Sequence, residues 1–105
     1  MNKILIDRFT VPRIHKNIFF ERVTLNRKLI HTFSGFIKDS IYVLEKEDVI
    51  QIVTVAVWSD EAKFFSAKEK VRKSYLEEGF DMPQFLKNLG ITIDRGVYEE
   101  LQTNE

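Results

Sequence analysis

The chain has 105 residues, with 16 basic residues balanced by 16 acidic ones, no cysteine and two histidines. That length suits one domain with a single core. The balanced charge provides no overall field to attract nucleic acid or anionic lipid; the lack of cysteine excludes disulfides, thiol nucleophiles and thiolate metal sites, and two histidines do not make a zinc site.

From Lys3 to Val11, Leu5, Asp7, Phe9 and Val11 alternate with Ile4, Ile6, Arg8 and Thr10, which predicts a strand that ends at Pro12. Asp7 belongs to the more apolar set. From Arg13 to about Thr32, Ile14, Ile18, Leu25 and Leu29 recur at helical spacing, and Phe19, Val23 and Ile30 widen the stripe. Ser34-Gly35 breaks this helix. Residues 36–45 predict a second strand, and the short charged link Lys46-Glu47-Asp48 makes it a hairpin with the next. That next strand, Val49 to Trp58, has only Gln51 and Thr54 as polar residues and is rich in β-branched side chains, so it belongs in the middle of a sheet.

Ser59 offers an N-cap, with Asp60 and Glu61 placing negative charge in the first turn of a helix from about Asp60 to Glu78. Phe64, Ala67, Val71 and Tyr75 form its apolar stripe, and Gly79 stops it. Asp81 caps a short helix, Met82 to Leu89, which serves either as a lid or as a plug formed by Phe85 and Leu86. Ile91 to Leu101 forms the last strand, and residues 102–105 are a polar tail to a domain spanning 1–101. The amino terminus holds too short an apolar run for a signal peptide and no later run approaches a membrane span, so a soluble, cytoplasmic protein is expected.

The order strand, helix, strand, strand, helix, short helix, strand is the ferredoxin-like βαββαβ arrangement of the α+β class, with one insertion. Right-handed crossovers then centre the first and third strands in an antiparallel sheet, with both long helices on one face. The Val49 strand is apolar on both faces, and nine phenylalanines are many for this size. A second copy packed sheet to sheet would cover the bare face, so a homodimer is expected.

Ile6-Asp7-Arg8-Phe9-Thr10-Val11-Pro12, Gly35-Phe36, Val55-Ala56-Val57-Trp58 followed by Ser59-Asp60-Glu61-Ala62, and Asp94-Arg95-Gly96 together resemble the antibiotic biosynthesis monooxygenase family of dimeric α+β barrels. The resemblance covers nearly the whole chain. It implies a homodimer with a pocket between helices and sheet in each subunit. It also implies either a cofactor-independent monooxygenase for quinols, anthrones or other aromatic hydroxy compounds, or a protein of the same fold without chemistry. The haem-degrading branch has an asparagine where Asp7 stands, and a tryptophan and a histidine where Ala67 and Glu77 stand, so haem degradation is the least expected activity.

A cofactor-free oxygenase needs a base, an aromatic pocket shielded from water and a substrate that becomes electron-rich once deprotonated. Asp7 is the candidate base, since burial among Leu5, Phe9 and Val11 would favour proton uptake; the alternative is pairing with an arginine. Tyr75 and, one turn away, Arg72 are candidates to orient a phenolate-like oxygen. Phe9, Phe64 and Val71 are the expected lining of a site for a small aromatic ligand. Trp58 either stacks on that ligand or packs at the strand end, and His31 either shuttles a proton or complements a helix C-terminus. No metal or cofactor is expected. If Phe19, Phe20, Phe64, Phe65 and Phe85 point inward, they fill the pocket and favour a binding or structural protein over an enzyme.

Overall fold

The computed structural model describes residues 1–102, and the expected polar tail lies, from residue 103 on, outside the described residues. The elements are β1 (Lys3–Pro12), a 3-10 turn (Arg13–His15), α1 (Lys16–Ile30), β2 (Phe36–Glu45), β3 (Val49–Trp58), α2 (Glu61–Glu78), α3 (Met82–Asn88) and β4 (Thr92–Glu99). The strands form one sheet in the order β2-β3-β1-β4, with every neighbouring pair antiparallel. This is the ferredoxin-like arrangement, with β1 and β3 in the centre as their apolar patterns require. Among the described residues no helix is long and apolar enough to cross a membrane.

Register assigns the faces. Lys3 pairs with Trp58, Leu5 with Ala56, Asp7 with Thr54, Phe9 with Ile52 and Val11 with Ile50, and these alternate residues share the helix-covered face. Val11, Ile50 and Ile52 are fully buried there, each contributing roughly 1.5–3 kcal/mol by leaving water. Phe9, Phe19, Val23, Leu86 and Ile91 complete this packed end, with the Phe9 and Phe19 rings 4.8 Å apart. At the other end of the sheet Trp58, Phe64 and Ala67 form a smaller cluster, with Phe36 edge-on to Trp58 at 5.5 Å. The opposite face carries Ile4, Ile6, Val53, Val55 and Val57 with no helix over it, and Tyr42 and Leu44 stand exposed at its edge. Tyr98 folds over Gly96 on that face, so closely that a Cβ at position 96 would lie 2.6 Å from its ring.

Two local expectations change. Asp60, not Ser59, caps α2, its carboxylate accepting the Lys63 N–H at 2.7 Å; the helix starts one residue later than the serine would set it. Part of the expected stripe of α1 also faces away from the sheet: Ile14, Ile18 and Leu25 are exposed, while Phe19 and Val23, which widen that stripe, are buried together with Arg22, and Leu29 and Ile30 are partly buried. Two causes combine. The 3-10 turn sets Ile14 out of phase with the helix, and Arg22 occupies a core-facing position that an apolar count passes over. Arg22 can do so because Glu78 receives its Nη1 and Nη2 at 2.6 and 2.8 Å while its guanidinium lies 3.4 Å from the Phe80 ring centroid. α1, the end of α2 and the turn into α3 are thereby held together as one roof. Gly35 lets that roof approach the sheet: it takes φ +88°, and a Cβ there would collide with the Lys63 side chain.

Candidate functional site

Between the two clusters the helix-covered face becomes small or polar. Along β3 the inward residues run Ile50, Ile52, Thr54, Ala56, Trp58, and along β1 they run Val11, Phe9, Asp7, Leu5. Large side chains close both ends and small ones leave the middle open. A cavity of about 480 Å³ results, with β-strand residues below and Val23, Ile30, Val71, Tyr75 and Leu86 of the helices above. Its walls are mostly apolar, the composition of a small-molecule site.

The Asp7 carboxylate lies on the floor, only 6% exposed. It is not isolated among apolar side chains. Arg95, directly opposite on β4, donates Nε to Oδ1 at 2.7 Å and Nη2 to Oδ2 at 2.9 Å. The arginine alternative for Asp7 is thus the geometry present, although each carboxylate oxygen keeps a second lone pair. Arg95 is held protonated by Asp7 and remains half-exposed, with its Nη1 donors unused among the described residues.

Tyr75 reaches the cavity from α2. Burial pushes its hydroxyl above the ordinary pKa, against the opposing pull of the nearby Arg22 cation, so at neutral pH it is a hydrogen-bond donor. Its ring lies 5.0 Å from the Arg22 guanidinium and edge-on to Phe80 at 5.1 Å, which fixes its direction. Asn26 and Thr54 supply further polar atoms to the same cavity.

A second polar group sits toward β2. Asp39 accepts Arg27 Nε at 2.7 Å and Nη2 at 3.0 Å, and lies 3.0 Å from His31 Nε2. Hydrogen bonding from Arg27 holds its carboxyl below the ordinary value, with burial opposing and His31 adding a smaller push in the same direction. Arg27 and Asp39 line the cavity.

The structure therefore brings together Asp7, Phe9, Val71 and Tyr75 of the expected residues, and leaves four outside the cavity wall. Arg72 stands exposed on the flank of α2, bonded to Glu69 at 3.1 Å, because Val71 and Tyr75 take the inward direction and the residue after Val71 is already turned about a quarter of the way round toward solvent. Trp58 and Phe64 are buried in the end cluster, the packing role weighed for Trp58. His31 is exposed at the end of α1, stacked 4.6 Å from Phe36, and meets the site only through Asp39. The phenylalanines do not plug the space: Phe19 packs on Phe9, Phe65 is exposed, and among the described residues Phe9 is the only phenylalanine in the lining. Residues missed in the sequence are Arg95, Asn26, Thr54, Arg27 and Asp39. For Thr54 there was a signal, since Thr54 and Ala56 at period two interrupt a run of large inward residues; for the arginines, only register brings them into place.

No family model matches the chain, and no curated protein matches it. Solved structures do. A mutant form of SnoaB, a cofactor-independent oxygenase from Streptomyces nogalater, is 22% identical with a TM-score of 0.75 over 97% of this chain and 95% of that one. A Bacillus cereus protein provisionally named an antibiotic biosynthesis monooxygenase is 22% identical, TM-score 0.61, over 99% and 97%. A dimeric ferredoxin-like protein from an uncultured marine organism is 17% identical, TM-score 0.62, over 96% and 100%. This chain has the fold those three proteins share.

Proposed function

We propose that the protein is a cofactor-independent monooxygenase of the antibiotic biosynthesis monooxygenase type, acting as a homodimer on a small aromatic hydroxy compound. The observation that carries this reading is the Asp7–Arg95 pair on the floor of an apolar cavity, with a protonated Tyr75 reaching into it from α2. A substrate hydroxyl seated there transfers its proton to Asp7, and the negative charge passes to the substrate oxygen. Arg95 and Tyr75 hold that oxygen, so the net charge around the guanidinium is unchanged during transfer and little reorganisation is needed. The electron-rich anion then reduces dioxygen: a C–O bond forms at an activated ring carbon bearing hydrogen, the peroxide is protonated, and loss of water leaves a carbonyl. The substrate supplies all four electrons that dioxygen takes up, two held in the inserted oxygen and two in the water released. The uncovered apolar face of the sheet supports the homodimer, as does the dimeric state of a protein with the same fold.

A ligand-binding protein without chemistry is the second reading, favoured by the engagement of both Asp7 oxygens by Arg95. Oxygen consumption separates the two. The purified protein, without added metal or flavin, is assayed against dihydroxy-aromatics and anthrones alongside Asp7→Asn. Uptake above the spontaneous rate that disappears in the variant is expected; no uptake by a dimeric wild-type protein overturns the enzymatic reading.

A further inference from the structure

The two polar groups of the cavity are built alike. In each, a carboxylate rising from the sheet grips an arginine side-on through Nε and Nη2: Asp7 holds Arg95, and Asp39 holds Arg27. The grip fixes the plane of each guanidinium, and a fixed planar fork presents its remaining donors in a set direction. Among the described residues neither Nη1 has a hydrogen-bond partner within the chain, and both arginines line the cavity. The space between them is apolar, walled by Leu5, Ile41, Ala56 and Ile30.

Register gives the spacing of the two aspartates that hold these arginines. Asp7 lies opposite Thr54 of β3, which lies opposite Ile41 of β2; Asp39 lies opposite Ala56, two residues further along β3. Two strands across and two residues along place the two aspartate Cα atoms on the order of 12 Å apart on the same face. A single-ring compound held at one arginine leaves the other unanswered.

Resting on the reading of this cavity as the ligand site, we infer that Arg27, fixed by Asp39, is a second, specificity-determining anchor, and that the ligand is a flat fused-ring aromatic carrying an acceptor oxygen at each of two opposite ends. One end sits at Arg95, where Tyr75 and Asp7 act on it; the other sits at Arg27 and sets length and orientation. His31, hydrogen-bonded to Asp39, steadies the far anchor and does not touch the ligand.

The test uses two probes and the whole chain as it assembles in solution. Binding of 2,6-dihydroxyanthraquinone, oxygenated at both ends, is compared by calorimetry with that of 2-hydroxyanthraquinone, which lacks one terminal oxygen. Loss of one charge-assisted hydrogen bond predicts a preference of about tenfold or more for the first. Arg27→Met removes that preference, and Arg27→Lys, which keeps a cation beside Asp39 but not the fork, removes most of it. The one-ended probe, titrated in the same variants, reports whether the cavity is intact. Equal affinity of the wild-type protein for both probes, binding of neither, or a preference that survives both substitutions overturns the inference. Oxygen uptake by the same proteins with an anthrone, whose central ring carbon still bears hydrogen, keeps the outcomes apart: a two-ended preference without uptake sinks the oxygenase and leaves the anchor standing, while uptake without the preference does the reverse.

Discussion

One face of one sheet serves two purposes within a few residues. At the packed end Val11, Ile50 and Ile52 are fully excluded from water; a few ångströms along the same strands, Asp7, Thr54 and Ala56 form the floor of an open cavity. Backbone pairing is continuous through both regions, so the ladder is not what distinguishes them. Side-chain volume is. The packed end contributes stability, and the open middle gives some up in exchange for space and a buried charge pair, the pattern expected where a site is set into a scaffold.

The contrast predicts effects of falling size. Ile52→Ala should cost about 2–5 kcal/mol, because the packed end cannot collapse around the lost volume; chemical denaturation measures it, and a cost under about 1 kcal/mol would mean the end is looser than its burial implies. Arg95→Met should cost about 1–3 kcal/mol, less than a fully buried pair would because Arg95 is half-exposed, and should also abolish any oxygen uptake. An unchanged melting temperature in that variant would show that the Asp7–Arg95 pair does not hold the floor together. Ala56→Leu should change stability by less than about 1 kcal/mol, since it grows into empty space, yet lower the affinity for 2,6-dihydroxyanthraquinone by more than about tenfold. If it instead destabilises as Ile52→Ala does, the middle is as tightly packed as the end.

The smallest effect is in the acid limb. Arg27 holds the Asp39 carboxyl below its ordinary value, so the contribution of Asp39 to stability is fully present above about pH 4 and is lost as pH falls through the depressed folded value. Melting temperatures of wild type and Asp39→Asn should therefore converge on acidification below about pH 4, with wild type the more stable above it. Parallel curves would show that Arg27 does not stabilise the charged form.

Much of the fold was legible because its signals are local. Alternation at β1, the apolar run of β3, the tight charged hairpin and the glycine stops mark most elements within a residue or two of their observed bounds, while α1 starts three residues later than expected because Arg13–His15 form a 3-10 turn. The ferredoxin-like order then follows from connectivity. The site was legible only where its residues share an element with an apolar pattern: Asp7 and Phe9 on β1, and Val71 and Tyr75 on α2. Arg72 was misplaced because proximity along a helix is not proximity to a cavity. Arg95 was out of reach for a different reason: its position opposite Asp7 depends on the β1–β4 register, which no local pattern specifies. Arg22 and Arg27 point to the same limit, because a charged residue that turns inward does so for a partner distant in the chain, Glu78 in one case and Asp39 in the other.

Asp7 and Arg95 are separated by 88 positions in the chain, and the pair exists only once the last strand has joined the first. Contacts of that span form only once the entropy of closing a long loop has been overcome. The cavity therefore has its polar floor only in a chain whose last strand is docked, and a chain halted before β4 docks has walls but no charged anchor at that end. If the proposed site is right, ligand capture becomes a readout of completed folding. A compound bound at Arg95 would hold the edge strand in place, so its first measurable effect should be slower hydrogen exchange along β4.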